Sequence, residues 1–147
     1  MSEVVAYKDS NNNYWDTEVE NSTPIKHKSE DALNIMRHDM AHILAEAVIS
    51  LFPNAKPTIG PFIKNGFYYD FDMESTLSDD DLENIEKKMK EILLQGRDFL
   101  KRAVSKKEAL EIFKDNKYKL ELINNLDNSD EITLYEQNNF TDLCKGP

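Results

Sequence analysis

Cysteine, glycine and histidine are scarce in this chain of 147 residues, which has one cysteine, four glycines and three histidines. A single thiol cannot close an internal disulfide, and this fits a protein of a reducing compartment. No apolar run approaches the ~20 residues that a membrane helix needs. The first residues also lack the basic and apolar regions of a signal peptide. We therefore expect a cytoplasmic, globular protein that does not bind membranes.

Positive charge is also in short supply, because 18 lysines and arginines face 28 acidic residues and leave a formal net charge of −10. This balance argues against a general nucleic-acid binder, since phosphate contacts need clustered basic side chains. It leaves room for a site that holds only one nucleotide end. The Walker loop and the Gly-x-Ser-x-Gly motif are both absent, so nucleotide hydrolysis and serine-hydrolase chemistry have no support.

The hydrophobic pattern predicts a small N-terminal appendage followed by one α+β domain. Residues 1–28 read as a hairpin, with strands at 4–7 and 14–17, and then a linker over 18–28. In residues 29–147 the predicted order is helix, two strands, helix, strand, helix and three strands. Hairpins outnumber βαβ crossovers in this order. We therefore expect a mainly antiparallel sheet with a long central helix and flanking helices.

Recognisable signals bound the predicted elements. Ser29 caps a helix that Pro53 ends, and a second helix runs from Ser78 to Gly96. Asn65-Gly66 is a strong signal for a two-residue turn, here between strands at 58–63 and 67–71. The other predicted elements are a strand at 99–104, a short helix from a capping box at Ser105 to residue 113, and strands at 118–123, 132–136 and 140–144.

The first helix carries two sets of side chains with different meanings. One apolar stripe at helical spacing is expected to face the core and consists of Leu33, Met36, Met40, Leu44, Ala47 and Leu51. His38 and His42 lie four residues apart on another side of the helix, about 160° from Met40 for His38. Apolar residues flank the histidines as well, and a helix that is apolar on two sides is usually sandwiched inside a fold. Both imidazoles are therefore expected to face a partly dry space.

Together with Cys144, these histidines could ligate a metal, position a water or move protons. Asp142 lies two residues before Cys144, so its carboxylate and the thiol point to the same face of a strand. Core or surface histidines and a buried, inert thiol are the alternatives. The zinc-protease pattern His-Glu-x-x-His is not met, because Asp39 follows His38. Two histidines and one cysteine are also one ligand short of a closed structural zinc site.

Four motifs complete this set: Arg37-His38-x-x-Ala41-His42, Ile59-Gly60-Pro61, Asn65-Gly66-Phe67-Tyr68-Tyr69-Asp70 and Asp142-x-Cys144-x-Gly146-Pro147. Together they resemble the editing domain of bacterial-type threonyl-tRNA synthetases, which belongs to the threonyl/alanyl-tRNA synthetase editing superfamily. The resemblance covers residues 29–147. Residues 1–28 are interpreted as the remnant of a small preceding domain.

The resemblance implies that mischarged seryl-tRNA(Thr) is hydrolysed by water attack on the aminoacyl ester, without a cofactor. The catalytic residues that it implies are His38, His42, Asp142, Cys144 and Lys119, and the substrate-binding residues are Gly60 and Tyr69. Cys144 is interpreted as a shaping and hydrogen-bonding group, since a thioester path would need a clear general base for the thiol. No metal is expected, but the alanyl branch uses the same ligand pattern for zinc, and this leaves zinc open here.

The partners that the resemblance implies are the tRNA(Thr) acceptor end carrying serine and the remaining domains of a longer synthetase. In the family a histidine directly follows the Cys-x-Gly-Pro segment, whereas this sequence stops at Pro147. We therefore interpret the chain as an editing domain truncated at its C-terminal end and lacking the aminoacylation domain. The alternative is a module that binds the tRNA acceptor end without hydrolysing the ester.

Overall fold

The computed structural model describes residues 3–96, 98–137 and 140–144 of the chain. The predicted α+β class is confirmed, because helices alternate here with small antiparallel sheets around one long helix. The Gly146-Pro147 end of the last sequence motif lies outside the described residues. No helix in the described part of the chain is long and apolar enough to cross a membrane.

Residues 4–26 form a three-stranded antiparallel sheet. Strand β1 (Val4–Lys8) is central and pairs with β2 (Tyr14–Trp15) on one side and β3 (Thr23–Lys26) on the other. The prediction of a linker over residues 18–28 is therefore wrong for Thr23–Lys26, which form β3. Pro24 lacks an N–H donor but is tolerated because β3 is an edge strand. The neighbouring Ile25 is only 4% exposed, so it supplies apolar burial that the linker interpretation overlooked.

Helix α1 (Glu30–Leu51) begins as predicted, since the side chain of Ser29 accepts a hydrogen bond from the Ala32 amide. The prediction of its core-facing stripe is partly wrong, because Met36 is 56% exposed and Leu33 and Leu51 are exposed too. The buried residues of α1 are His38, Ala41, His42, Ile43, Ala45, Ala47 and Val48. Small alanines let neighbouring elements approach closely, and a count of large apolar residues does not detect such a face.

Helix α2 (Asp79–Leu94) packs against α1, and the two helices share a core that includes Val48, Ile85 and Ile92. Its predicted limits are confirmed. Ser78 forms a capping box with Asp81, and Gly96 follows the helix with a φ of +59°, in the left-handed region where glycine is favoured.

Between α1 and α2 the chain forms the predicted hairpin, in two paired sections. The outer section pairs β4 (Lys56–Pro57) with β7 (Phe71–Asp72), and the inner section pairs β5 (Phe62–Ile63) with β6 (Gly66–Phe67). Ile63 lies opposite Gly66, so the two turn residues are Lys64 and Asn65 rather than Asn65 and Gly66. Lys64, Asn65 and Gly66 all lack a positive φ, so the turn is not the type I′ turn that Asn-Gly favours.

The second half of the chain is built on a three-stranded antiparallel sheet with the order β10-β9-β8. Its strands are β8 (Leu100–Val104), β9 (Ile132–Gln137) and β10 (Phe140–Leu143), close to the predicted limits. One face of β9 carries Ile132 and Leu134, which pack in a core with α3 (Lys106–Ile112). The opposite face of β9 carries Tyr135, whose ring contacts the histidines of α1. The sheet is therefore sandwiched between helices.

The predicted strand at 118–123 is wrong, because these residues form helix α4 (Lys117–Asn124). The side chain of Asn116 caps the helix by accepting hydrogen bonds from the amides of Tyr118 and Lys119. Lys119 and Ile123 are buried four residues apart, on one helical face. A short segment of alternating polar and apolar residues is compatible with both the strand and the helix period, and the N-cap at Asn116 favours the helix.

Candidate active site

A cavity of about 390 Å³ opens between α1, the hairpin, α4 and the β9–β10 pair. All seven residues predicted for the site line it: His38, His42, Gly60, Tyr69, Lys119, Asp142 and Cys144. Much of the remaining wall is apolar and includes Ile59, Pro61, Phe62, Leu122, Leu126 and Ile132. The polar groups are thus gathered in a concavity with largely apolar walls, which is where binding and catalytic sites form most often.

The two histidines and Asp142 form a buried hydrogen-bonded chain. Nε2 of His38 lies 3.0 Å from Nε2 of His42, and Nδ1 of His42 lies 3.0 Å from a carboxylate oxygen of Asp142. Both histidines are 4% exposed and Asp142 is 2% exposed. Helix α1 supplies the imidazoles on one face, and β10 brings the carboxylate to the far edge of the His42 ring. A carboxylate in this position fixes the ring orientation and favours the protonated form of the ring.

Asp142 is also the meeting point of other groups in the site. Its second oxygen lies 2.9 Å from Nζ of Lys119, and it accepts a hydrogen bond from the Leu143 amide. The hydroxyl of Tyr69 donates to the oxygen that faces His42, at 2.6 Å, and Nζ of Lys119 donates to the Tyr69 oxygen at 3.2 Å. Both carboxylate oxygens are therefore satisfied, as a buried charge requires.

These contacts decide which histidine is charged. Burial lowers the pKa of His42, but hydrogen bonding to Asp142 and Cys144 and the charges of these two groups outweigh burial and raise it to about 9. Burial, together with the charge of His42, lowers the pKa of His38 to about 3. Burial raises the pKa of Asp142, yet its bonds to His42 and Lys119 prevail and hold it at about 2. At neutral pH, His42 is an imidazolium that donates its Nε2 proton to neutral His38.

Cys144 extends this series of hydrogen-bonded side chains beyond His38, with Sγ 3.3 Å from Nε2 of His38. The side-chain donor atoms of Cys144, His38 and His42 all lie within 4.8 Å of one another, so these residues could hold a divalent metal. Two histidines and one cysteine match the three protein ligands of an open catalytic zinc site. However, the 3.0 Å between the two Nε2 atoms is a hydrogen-bond distance, and a proton shared by the rings satisfies them without a metal.

Known proteins resemble this chain over most of its length. The threonine–tRNA ligase of Borrelia turicatae is 58% identical over 118 residues, which are 80% of this chain and 20% of the relative. The corresponding ligase of Borrelia hermsii is 55% identical, and that of Borreliella burgdorferi strain ZS7 is 52% identical, over the same length and shares. No protein-family model matches the chain. The chain is a homologue of a segment of threonine–tRNA ligases. It spans about one fifth of the length of these relatives.

In this threonine–tRNA ligase homologue, Gly60 has a packing role in addition to its place in the cavity wall. A Cβ atom added at Gly60 would overlap the ring of Tyr69. The glycine therefore leaves room for that ring, which stacks on Phe71 with centroids 5.0 Å apart and directs its hydroxyl to Asp142. The motif Ile59-Gly60-Pro61 thus leaves space for Tyr69 in the ligase homologue, which is a packing requirement.

Two residues of β9 that sequence reasoning missed also belong to the site of the ligase homologue. The hydroxyl of Thr133 donates to the carbonyl of Cys144, and the Cys144 amide donates to the Thr133 carbonyl at 3.1 Å. Tyr135 lies beside His42 and opposite Asp142 in the strand register. A correct pairing of β9 with β10 would have found both, because cross-strand partners share a face of the sheet.

Proposed function

We propose that this chain is an aminoacyl-tRNA editing domain that hydrolyses the ester linking serine to tRNA(Thr). The observation that carries the proposal is the series of hydrogen bonds from the partly buried Cys144 through the buried His38 and His42 to Asp142, in a homologue of threonine–tRNA ligases. The motif resemblance supports the same function. Its partners would be the serine-bearing acceptor end of tRNA(Thr) and the rest of a longer ligase, in the cytoplasm where aminoacyl-tRNA is made.

The charges in the cavity suit ester hydrolysis. Protonated His42 and Lys119 carry two positive charges against the single negative charge of Asp142, so the buried group has an excess of positive charge. Water attack on the ester carbonyl produces a negative oxygen in the transition state. Preorganised positive groups stabilise such an oxygen most strongly where water is excluded, as the apolar walls here favour.

The histidine pair can also handle the protons of the reaction. Water adds to the carbonyl carbon and the ester C–O bond breaks, so the proton lost by the water must reach the departing ribose oxygen. His38 and His42 hold one proton between two Nε2 atoms, so the pair can give this proton to the departing ribose oxygen and is restored by the proton lost from the water. Cys144, beside His38, shapes the end of this chain and can hydrogen-bond the attacking water. This scheme requires no covalent intermediate on the thiol.

The need for such a site follows from the small difference between the two amino acids. Serine lacks one methyl group of threonine, and a pocket that binds threonine can discriminate against the smaller side chain by only about 1–3 kcal/mol. A second site solves the problem if it admits serine and excludes threonine by size. Close packing makes such exclusion possible, since an extra methyl group in a rigid cavity costs about 1–3 kcal/mol.

Release of serine from labelled seryl-tRNA(Thr), with threonyl-tRNA(Thr) as the competing substrate, tests this proposal. We expect the chain to release serine roughly ten times or more faster than threonine. His42→Gln should slow serine release by about 10²–10⁴-fold, as expected for a lost acid–base group. The third histidine offers a matched control, because His27 is exposed, lies outside the cavity, and its change to glutamine should leave the rate unchanged.

The same experiment separates hydrolysis from the alternative of a module that only binds the tRNA end. Filter binding at equal protein concentration measures association with seryl-tRNA(Thr) independently of turnover. Binding without serine release above the buffer rate would contradict the deacylase proposal and favour the binding module. Equal rates for wild type and His42→Gln would show that the histidine chain is not the catalytic centre.

A further inference from the structure

We propose that Tyr135 is a positioning residue for His42, whose ring plane it fixes within the site; this inference rests on the proposed deacylase function. The tyrosine belongs to β9 and does not occur in any of the motifs that point to the site. It is 9% exposed, and its ring contacts His38 and His42 from the side of the sheet. Its contacts differ from those of an ordinary core aromatic residue, because both of the site's histidines lie against one ring.

The geometry of these contacts is specific. The rings of Tyr135 and His42 are stacked, with centroids 5.2 Å apart and planes inclined by only 12°. The same Tyr135 ring meets His38 in an edge arrangement, with centroids 5.1 Å apart and planes inclined by 66°. Near-parallel and T-shaped arrangements are the two favourable geometries for aromatic rings. One side chain thus holds both imidazoles at the mutual angle at which their Nε2 atoms meet.

The strand register makes Tyr135 and Asp142 a pair that acts on one imidazole. They lie directly opposite each other in β9 and β10, so their side chains emerge on the same face of the sheet. Asp142 binds the Nδ1 edge of His42, whereas Tyr135 covers one face of the ring. Hydrogen bonds at Nδ1 to Asp142 and at Nε2 to His38 hold the ring only at its edges, and the terminal torsion of histidine is broad. The stacked ring restricts rotation about this torsion.

The aromatic face of Tyr135, and not its hydroxyl, makes these contacts. Burial and the neighbouring Cys144 and Asp39 raise the pKa of the phenol above its usual range, so the hydroxyl stays neutral in the working range of the site. Tyr135 also lines a second cavity, together with Asp16 and Asp39. Because the ring face makes the contacts with the histidines, phenylalanine should serve as well as tyrosine at this position, whereas an aliphatic side chain should not.

The test compares Tyr135→Leu with Tyr135→Phe in the deacylation of seryl-tRNA(Thr). We expect Tyr135→Leu to lower kcat by roughly 10- to 100-fold with little change in KM, as misplaced catalytic groups and lost orienting partners do. Tyr135→Phe should retain the wild-type kcat within about twofold. Phe113→Leu is the matched control for lost core packing, because Phe113 is also 9% exposed but packs in the core with Ala109 and Ile123 and not against the histidines. It should leave kcat unchanged.

A second measurement does not depend on activity. The Nδ1 proton of His42, held by Asp142, should give a protected low-field signal in ¹H–¹⁵N NMR spectra of the folded chain. We expect this signal to broaden or disappear in Tyr135→Leu and to persist in Tyr135→Phe and Phe113→Leu. If wild type does not release serine, the proposed function fails, but the NMR comparison still tests the positioning role.

Two results would overturn the inference. A protected signal and a wild-type kcat in Tyr135→Leu would show that the stacked ring does not hold His42. An equal loss of kcat in Tyr135→Phe and Tyr135→Leu would assign the effect to the hydroxyl instead of the ring face.

Discussion

Asp142 lies 3.0 Å from Nδ1 of His42, although the two residues are 100 positions apart in the sequence. This contact joins the last described strand to the long helix and sets the charge of the histidine pair. The same carboxylate holds Lys119 on α4, so three elements meet on one buried group. Folding and the charge state of the site are therefore coupled, and changes at Asp142 should affect both.

Removing the Asp142 carboxylate alone should destabilise the chain more than removing the carboxylate and the Lys119 charge together. Asp142→Asn leaves Lys119 as a buried charge without its partner, and breaking a buried pair in this way costs about 3–5 kcal/mol. Adding Lys119→Met to Asp142→Asn should recover part of that loss, because the orphaned charge is removed. Urea unfolding of wild type, both single variants and the double variant gives the coupling energy. Additive losses within about 0.5 kcal/mol would contradict a coupled pair.

The raised pKa of His42 predicts a loss of stability on the alkaline side. Its pKa is 6.5 in the unfolded reference and about 9 in the folded chain. The folded state therefore retains a proton that the unfolded state releases, and the stabilisation is fully present below pH 6.5 and lost as the pH rises through about 9. In the acid range, two other groups change the stability in opposite directions. The lowered pKa of His38 destabilises the folded chain as the pH falls, whereas the pKa of Asp39, which burial raises to about 7, stabilises it as the pH falls.

His42→Gln isolates this effect. The difference in unfolding free energy between wild type and His42→Gln should shrink between pH 6.5 and 9, by an amount of the order of 1–3 kcal/mol. Urea unfolding of both proteins across this range measures it. A difference that stays constant from pH 6 to 10 would show that His42 titrates normally in the folded chain.

The sequence predicted which side chains lie together in the candidate site more completely than it predicted the elements that carry them. The spacing of His38 and His42 and the strand pattern around Asp142 are local signals, and both survive errors elsewhere in the fold. Lys119 was matched to the site through the resemblance even though its segment was predicted as a strand. Its position depends on the cap at Asn116, and a single cap residue competes poorly with an alternating pattern in a segment of only eight residues.

Other features could not be read from local patterns because they depend on pairing between distant segments. Tyr135 contacts His42 only because β9 and β10 align it with Asp142. The burial of Ala45 in place of Met36 depends on how closely neighbouring elements approach α1, and hydrophobicity does not encode that distance. Gly60 was recognised as a site residue, but its packing against the Tyr69 ring appears only when the hairpin is folded.

That packing predicts a large difference between two glycines of the same hairpin. Gly60→Ala places a methyl group in the ring of Tyr69, and overpacking of this kind costs about 1–3 kcal/mol. Tyr69 would have to move, so its hydrogen bond to Asp142 should weaken and deacylation should slow. Gly66→Ala is the control, because a Cβ there meets no atom within 4 Å. Thermal unfolding and serine release would test both variants, and equal behaviour of the two would contradict the seating role of Gly60.

The last prediction concerns the tie between α4 and the hairpin at Asn116. Its amide nitrogen donates to the Pro57 carbonyl at 2.8 Å, while its oxygen caps the helix that carries Lys119. Asn116→Ser keeps a capping oxygen but loses the donor to Pro57, so α4 should remain helical while Lys119 shifts relative to Tyr69. We expect slower deacylation, by about 10-fold, since a misplacement of 1 Å can cost up to 10²-fold.

The matched control is Ser105→Ala, which removes the N-cap of α3 and should cost about 0.5–2 kcal/mol of stability without slowing the reaction. Circular dichroism would show whether helix content is retained, and serine release would report the rate. A rate loss in Ser105→Ala as large as in Asn116→Ser would mean that general destabilisation slows the reaction. A wild-type rate in Asn116→Ser would show that the Pro57 contact does not position Lys119.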